Sequence, residues 1–253
     1  MKRSIFTLAL MTFATTASAE CGDLSDPVVE FEDVRLINEY NATDGDIGVH
    51  GEVDADGWSE LCLYDPYGSL ILHVRPDAQF SDLGLAQLFF ESREPAVDEW
   101  GYEDLKAAFP EGDYRTIGRT HDGRAIGKSA RFTTIVPAMP EIIAPTVASD
   151  SEAPDIPVIP LDNLTVIWSP VGNSLDGRPI EIVAYQLIVT NDDFEEGDAF
   201  DQPVFSVHLS AETTDFVVQS AFFSPDAIFE IEVLAIEESG NQTIGLGFVR
   251  TKG

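Results

Sequence analysis

The sequence contains few cysteines, few basic residues and no long internal apolar run. Two cysteines in 253 residues exclude a disulfide-dense scaffold. Lysine and arginine number 14 against 45 aspartates and glutamates, so the formal charge is −31. This charge repels phosphate backbones and anionic lipid surfaces, and we expect neither a nucleic-acid partner nor a membrane-surface role. No segment after the N-terminal region is apolar for long enough to cross a bilayer, so no membrane span is expected.

The recognised catalytic motifs are also missing. The sequence has no Gly-x-Ser-x-Gly, no His-Glu-x-x-His and no glycine-rich phosphate loop. The four histidines stand singly in strand or turn segments, and they are His50, His73, His121 and His208. We therefore expect a protein that is not an enzyme, with no cofactor and with no catalytic, cofactor-binding or metal-binding residues.

The first residues have the pattern of an export signal. Lys2 and Arg3 precede a mostly apolar run over residues 5–17, and Ala17-Ser18-Ala19 offers the small residues that a signal peptidase requires. The pattern predicts a signal peptide over 1–19 and a secreted or periplasmic protein.

The two cysteines, Cys21 and Cys62, both follow this segment. An oxidising compartment permits a disulfide between them, although two free thiols are the alternative. Closing a loop of about 40 residues stabilises a fold by roughly 4 kcal/mol in the chain-entropy model.

Residues 20–137 are predicted to form a first β module. Asp65-Pro66-Tyr67-Gly68 is a turn signal between two alternating segments, and it predicts a hairpin over 58–74. Two separate strands are expected at 48–53 and 58–63. Residues 102–109 read as a short helix that Pro110 ends. The apolar run 83–91 fits either a strand or a helical turn.

Residues 138–253 are predicted to form a second β module. Prolines punctuate 137–160, which indicates a linker or a linker that merges into an edge strand. Phe229, Ile231 and Val233 alternate with Glu230 and Glu232, as in a half-buried antiparallel strand.

A repeated corner motif links the two modules. Pro110 precedes Tyr114 by four residues, and Pro225 precedes Phe229 by four. Two diverged copies of one sandwich are the simplest explanation. A tyrosine at such a corner hydrogen-bonds to nearby backbone, whereas a phenylalanine can only pack.

The second module resembles a fibronectin type III domain over about 139–252. Trp168 matches the second-strand tryptophan of that family, Tyr185 matches the third-strand aromatic, and residues 235–241 match the turn before the last strand. Phe229 departs from the usual tyrosine. The resemblance implies an immunoglobulin-like β-sandwich with a binding or spacer role and no reaction. The predicted fold is thus all-β, with two immunoglobulin-like modules in tandem, the first carrying a short helix.

The leading functional hypothesis is a non-enzymatic, secreted or periplasmic protein that serves protein interaction or spacing. The alternative is a carbohydrate-binding or carbohydrate-active protein that uses the acidic and aromatic insertion 89–102 around Trp100. A weak calcium site at residues 52–57 remains a further alternative, but Leu63 stands where a helical-hand loop needs its bidentate glutamate. Turn residues on a solvated hairpin explain that stretch equally well.

Basic residues are concentrated in one predicted hairpin of the first module. They are candidate interaction residues together with Trp100, and they are Arg115, Arg119, Arg124, Lys128 and Arg131. The second module is strongly acidic, so we hypothesise that the bases contact it, within one chain or between chains. A solvated hairpin whose bases offset local acids is the alternative.

Overall fold

The computed structural model describes Cys21, residues 29–194 and residues 202–253. The expected signal peptide lies outside the described residues. The strands, in chain order, are β1 Val29–Glu30, β2 Asp33–Asn41, β3 Asp46–Tyr64, β4 Leu70–Val74, β5 Leu85–Glu91, β6 Gly112–Thr120, β7 Ala125–Phe132, β8 Ile142–Ala144, β9 Val158–Ile159, β10 Leu164–Trp168, β11 Ile182–Asn191, β12 Val204–Ser210, β13 Asp215–Val218, β14 Ile228–Glu237 and β15 Gln242–Thr251. The helices are α1 Gln79–Leu83, α2 Tyr102–Ala108 and a 3₁₀ turn, Ser220–Phe222. Over the described ranges, no helix combines the length and apolar character that crossing a membrane requires.

The second module is a sandwich of a three-stranded and a four-stranded layer. One layer has the order β13-β10-β8, and the other runs β15-β14-β11-β12. The alternating residues Phe229, Ile231 and Val233 are fully buried between the layers. Trp168 and Tyr185 also lie in this core, with ring centroids 5.6 Å apart. The predicted sandwich and its two aromatic core positions are confirmed.

The first module has the same pairing pattern, built with one strand fewer. The first half of β3 lies between β2 and β5, and its second half lies between β4 and β6, which in turn pairs with β7. A single bent β3 therefore occupies the positions that β10 and β11 hold in the second module. Trp58 lies at the bend with no exposed surface, and its indole nitrogen donates to the carbonyl of Ala86 over 3.2 Å.

The prediction of two strands at 48–53 and 58–63 is wrong because the chain does not turn between them. Residues 54–57, Asp-Ala-Asp-Gly, have turn-forming character, yet the strand continues through a bulge between Asp54 and Trp58. Gly57 adopts φ +82°, a value that side chains disfavour. The glycine lets β3 change layers without breaking its pairing.

Several local predictions for the first module are confirmed. The hairpin over 58–74 is formed by β3 and β4, and the predicted helix is α2. The ambiguous run 83–91 divides into the last residue of α1 and the strand β5. β4, α1 and β5 follow one edge of β3, from its C-terminal half back to its N-terminal half.

The two corners differ as expected from their aromatic residues. The Tyr114 hydroxyl donates to the carbonyl of Pro110 over 3.1 Å. Phe229 packs edge-on against Phe223, with ring centroids 5.0 Å apart. The tyrosine thus anchors its corner by a hydrogen bond, and the phenylalanine anchors its corner by aromatic packing.

The modules share one continuous sheet. The end of β2 pairs in parallel with the start of β15, matching Glu39 to Gln242 and Asn41 to Ile244. The proline-rich stretch 137–160 lies along the second module: Ala148 pairs with Phe248, and β9 pairs in parallel with the end of β15. Of the two interpretations given for this stretch, the structure shows the one in which it merges into edge pairing.

The predicted bond between Cys21 and Cys62 is present and spans 41 residues. We expect reduction to lower the free energy of unfolding by about 4 kcal/mol, because the open chain gains loop entropy. Urea unfolding of oxidised protein and of the double variant Cys21→Ser, Cys62→Ala measures the difference. Two titratable thiols per chain in denatured, unreduced protein would contradict the pairing.

Candidate functional site

A buried amide network joins the two modules beside the parallel strand pair. The Asn241 side chain accepts from the backbone N–H of Asn38 over 2.8 Å and donates to the carbonyls of Thr133 and Ile135 over 3.1 and 2.7 Å. Asn241 is 1% exposed. One side chain from the second module therefore satisfies one backbone group within β2 and two in the segment that follows β7. Buried groups of this kind are costly to leave unpaired, so the network holds the modules in one orientation.

The continuous sheet places carboxylates from both modules on one outer face. Strand register puts the side chains at 46, 48, 50, 39, 242, 232 and 230 on this face of β3, β2, β15 and β14. We call it the acidic face for the carboxylates at its centre, and the same register also places Arg35 and Arg250 on it. Its central titratable members are Glu39, Asp46, His50, Glu91, Glu94, Glu230 and Glu232. Cations are the ligands that such a surface attracts.

The centre of the acidic face is a triad of Glu39, His50 and Glu94. In the strand register, Glu39 lies opposite Gly48, and His50 follows two residues later on the same side. Hydrogen bonds from Val49 N–H to the Ser92 hydroxyl and from Val97 N–H to the Gly45 carbonyl hold residues 92–97 along the other edge of β3. His50 Nε2 lies 3.0 Å from Glu94 Oε1 and 3.7 Å from Glu39 Oε1.

Gly48 provides the space for this triad. A β-carbon at that position would lie 2.7 Å from both Cγ and Oε1 of Glu94. On the other side, the Gln242 side chain donates a hydrogen bond to Glu39 Oε2 and so orients the carboxylate from the second module. Phe89 packs edge-on against the imidazole, with ring centroids 5.8 Å apart.

Burial and mutual charge shift the protonation of this face. Burial raises the pKa of Glu39 above its usual value, although His50 and Gln242 oppose the shift. Burial disfavours the charged form of His50, but the hydrogen bond to Glu94 and the charge of Glu39 outweigh it and raise its pKa. Burial, with the charges of Glu94 and Asp44, raises the pKa of Asp46 to about 6. The carboxylates of this cluster are therefore solvated less well than they would be in water, and their charged forms are disfavoured.

Glu230 and Glu232 form a second acidic pair on β14. Burial, followed by the charges of Glu230 and Glu39, raises the pKa of Glu232 to about 8. Burial and the charge of Asp192 also raise the pKa of Glu230. Two neighbouring carboxylates of this kind cannot both ionise without cost, which favours the protonated form of one of them.

The basic hairpin lies away from this face and pairs within its own module. Arg115 lies over the ring of Tyr64, Arg119 is 3.9 Å from Glu60, Arg124 pairs with Asp122, Arg131 is 3.4 Å from Asp113, and Lys128 donates to the carbonyl of Glu32. Arg131 also lines a cleft of about 580 Å³ whose other wall carries Glu237 and Glu238. Among the described residues, the modules meet through amides and hydroxyls and not through ion pairs of these bases. A contact between chains stays a prediction.

The other two sequence-derived candidates have ordinary structural roles here. Trp100 is half-buried and packs against the apolar cluster that includes Leu105 and Tyr114, so only part of its ring is available to a sugar. The carbohydrate alternative stays a prediction that a glycan screen with Trp100→Ala can test.

Residues 52–57 lie within β3, so the expectation of a hairpin turn there is wrong. The expectation that this stretch begins a calcium-binding loop is wrong for the same reason. The Glu52 carboxylate accepts from Gln87 over 2.6 Å.

The sequence gives no sign that Glu39, His50 and Glu94 form a triad. Its members are 11 and 44 residues apart in the chain, a spacing that belongs to no known motif. In the sequence, His50 is one of four histidines that stand singly, and Glu94 is one of many acids in the insertion. Only the strand pairing brings the three together, around the glycine at 48.

Comparisons with known proteins found structural neighbours but no family. No family model matches the chain, and no curated protein matches it. The structural neighbours are fibronectin type III domains. The FN1–FN3 domains of chicken CNTN1 share 11% identity over 90% of this chain, with a TM-score of 0.31, and the chain spans 66% of that structure.

Two further neighbours are of the same kind. A two-domain segment of chicken tenascin has 9% identity over 87% of this chain and 99% of its own, with a TM-score of 0.30. The third fibronectin type III domain of human KIAA0343 has 12% identity over 44% of this chain and 95% of its own, with a TM-score of 0.28. No ligand, partner or activity is inferred from similarity at this level.

The amide network generates a prediction about the joint. Asn241→Ala leaves the Asn38 N–H and the Ile135 carbonyl without their partner, while the Thr133 carbonyl keeps Asn38 Nδ2 as a donor. We therefore expect a loss of about 2 to 4 kcal/mol in unfolding free energy. Chemical denaturation measures the loss, and calorimetry should show the single transition dividing into two. Asn163→Ala is the control, because Asn163 accepts one hydrogen bond at an exposed site. An equal loss in both variants would contradict the role of the network.

The acidic pair on β14 generates a prediction about pH. The pKa of Glu232 is raised to about 8, above the ordinary 4.5, so the folded state binds this proton more tightly than the unfolded state does. Stability from this group is present at low pH and is lost as pH rises from about 5 through 8. We expect Glu232→Gln to be more stable than the parent at pH 8, by at least about 1 kcal/mol, with no such difference at pH 4.5. Glu238→Gln, at an exposed position, should follow the parent at both values.

Proposed function

We propose that this protein is a non-enzymatic, secreted or periplasmic interaction protein whose two β modules act as a spacer of fixed geometry. The proposal is carried by large apolar side chains that remain exposed on β4, α1, β5 and the turn before β4, on one side of the first module. They are Tyr67, Leu70, Ile71, Phe80, Leu83 and Phe89, with exposures from 41% to 81%. Apolar side chains grouped in this way favour contact with another protein.

The construction of this edge supports the proposal. No residue of α1 is buried, and every residue of β5 is exposed or half-buried. Within the described ranges, β4 and β5 each pair with β3 on one side, which makes them edge strands of the sheet. A partner strand or a partner's apolar surface can use both the side chains and the backbone there.

The joint supports the spacer part of the proposal. A parallel strand pair and the Asn241 network replace the flexible linker that tandem modules often have. A partner bound at the first module is therefore held in one orientation relative to the second module. The disulfide supports an oxidising compartment, in agreement with export.

A cross-linking experiment tests the interaction. A photoreactive amino acid at position 80 or 83 should trap one partner protein from the native envelope or secreted fraction. The same residue at position 208, exposed on β12 of the second module, is the matched control. Trapping that is equal at all three positions would contradict a specific edge. Sedimentation of the purified chain checks whether the trapped protein is a second copy of this chain. An adduct between two copies would mean that the edge serves self-association and not a separate partner.

A further inference from the structure

The Glu39, His50 and Glu94 triad has the arrangement of a metal-binding site. Its three donor atoms, two carboxylate oxygens and one imidazole nitrogen, all lie within 4.8 Å of one another. The nitrogen is 3.0 and 3.7 Å from the two oxygens. A tetrahedral ion with bonds near 2.1 Å separates neighbouring donors by roughly 3.4 Å. The present distances bracket that value, so small side-chain shifts suffice for coordination.

The surroundings of the triad restrict its side chains to this arrangement. The His50 and Glu39 side chains are only 10% and 14% exposed. Gly48 leaves room for the Glu94 carboxylate, and Gln242 holds the second oxygen of Glu39. Hydrogen bonds of this kind to a ligating carboxylate orient it and are a regular part of metal sites.

The local charge favours a cation at this position. Two carboxylates face one imidazole, and Glu91 lies directly opposite His50 on β5. Arg35 lies nearby, around the same small pocket as His50 and Gln242, but its guanidinium pairs with Asp33. The imidazole is the positive group that contacts the two carboxylates directly when it holds a proton. Among the described residues, the other group of potential ligands is Cys21, Cys62 and His73, whose two sulfurs are bonded to each other and so offer no thiolate.

We propose that Glu39, His50 and Glu94 bind one divalent transition metal ion, of which Zn²⁺ is the representative. An imidazole nitrogen with carboxylate oxygens suits zinc and its neighbours in the first transition row, whereas calcium and magnesium take oxygen ligands. Three protein donors leave the fourth tetrahedral position to water.

Binding would tie together three segments and, indirectly, both modules. The donors come from β2, from β3 and from the segment after β5, and Gln242 connects Glu39 to β15 of the second module. The ion would therefore stabilise the joint by mass action, since the unfolded chain does not hold the donors together. Phe89 contacts His50 and also belongs to the proposed interaction edge, but none of the three metal donors belongs to that edge. Metal binding and partner binding are measured separately, so either can fail without the other.

Calorimetric titration of the chelator-treated full chain with Zn²⁺ and with Co²⁺ tests the proposal. We expect one ion per chain, a visible absorption band of tetrahedral Co²⁺, and a higher unfolding temperature in the presence of Zn²⁺. His50→Gln and Glu94→Gln should abolish the saturable step and the cobalt band. Gln242→Ala should weaken binding by about 10- to 100-fold, because it removes only the orienting hydrogen bond.

Matched controls are His208→Gln and Glu238→Gln, which remove an imidazole and a carboxylate at exposed positions and should bind as the parent does. Circular dichroism checks that each variant is folded. If His50→Gln fails to fold, Glu94→Gln still decides, since that side chain is 27% exposed. Unchanged binding in folded triad variants would overturn the proposal. So would an absence of uptake at millimolar zinc, or equal binding of Ca²⁺ that ignores His50→Gln.

Discussion

The parallel pairing between β2 and β15 is the contact on which the arrangement of the whole molecule depends. Each of these strands is an edge of its own module there, and an unpaired edge exposes backbone groups that must find partners. By pairing with each other, they close two edges at once. The Asn241 side chain then hydrogen-bonds to backbone groups of β2 and of the segment after β7, which lie beside the strand pair and face the second module.

This joint also creates the acidic face. The face is continuous only because β3, β2, β15 and β14 belong to one sheet, which brings Glu39 and Gln242 into register. Neither module alone contains both groups. The same contact that fixes the geometry of the modules therefore places an orienting amide from one module against a carboxylate of the other, and the properties of the face follow from the joint.

The bend in β3 is the second organising constraint. It lets one strand serve both layers of the first module, so that module needs no loop between them. The positive φ of Gly57 and a bulge accommodate the bend, and the buried Trp58 side chain fills the space beneath it. The first half of the strand also carries Gly48 and His50, so the path that joins the layers also positions the centre of the acidic face.

The sequence alone determined the elements whose signals are local. Period-two alternation predicted β14, and the turn at Asp65 predicted the β3–β4 hairpin. Pro110 predicted the end of α2, and Tyr114 predicted the hydrogen bond at its corner. Two cysteines allow only one pairing, although the sequence left free thiols open, and the structure contains the bond. Each of these features depends on residues that are close in the chain, or, for the cysteines, on there being only one possible pair. Such patterns can be recognised without a structure.

The tertiary structure decided everything that depends on pairing between distant strands. The turn-like residues 54–57 remain in a strand because β5 and β6 hold both halves of β3, and local propensity does not include that energy. Glu39, His50 and Glu94 are three of many similar residues until strand register places them around Gly48. In a chain with so many acids, composition cannot indicate which carboxylates converge. Only the sheet selects them, because register is a property of long-range pairing.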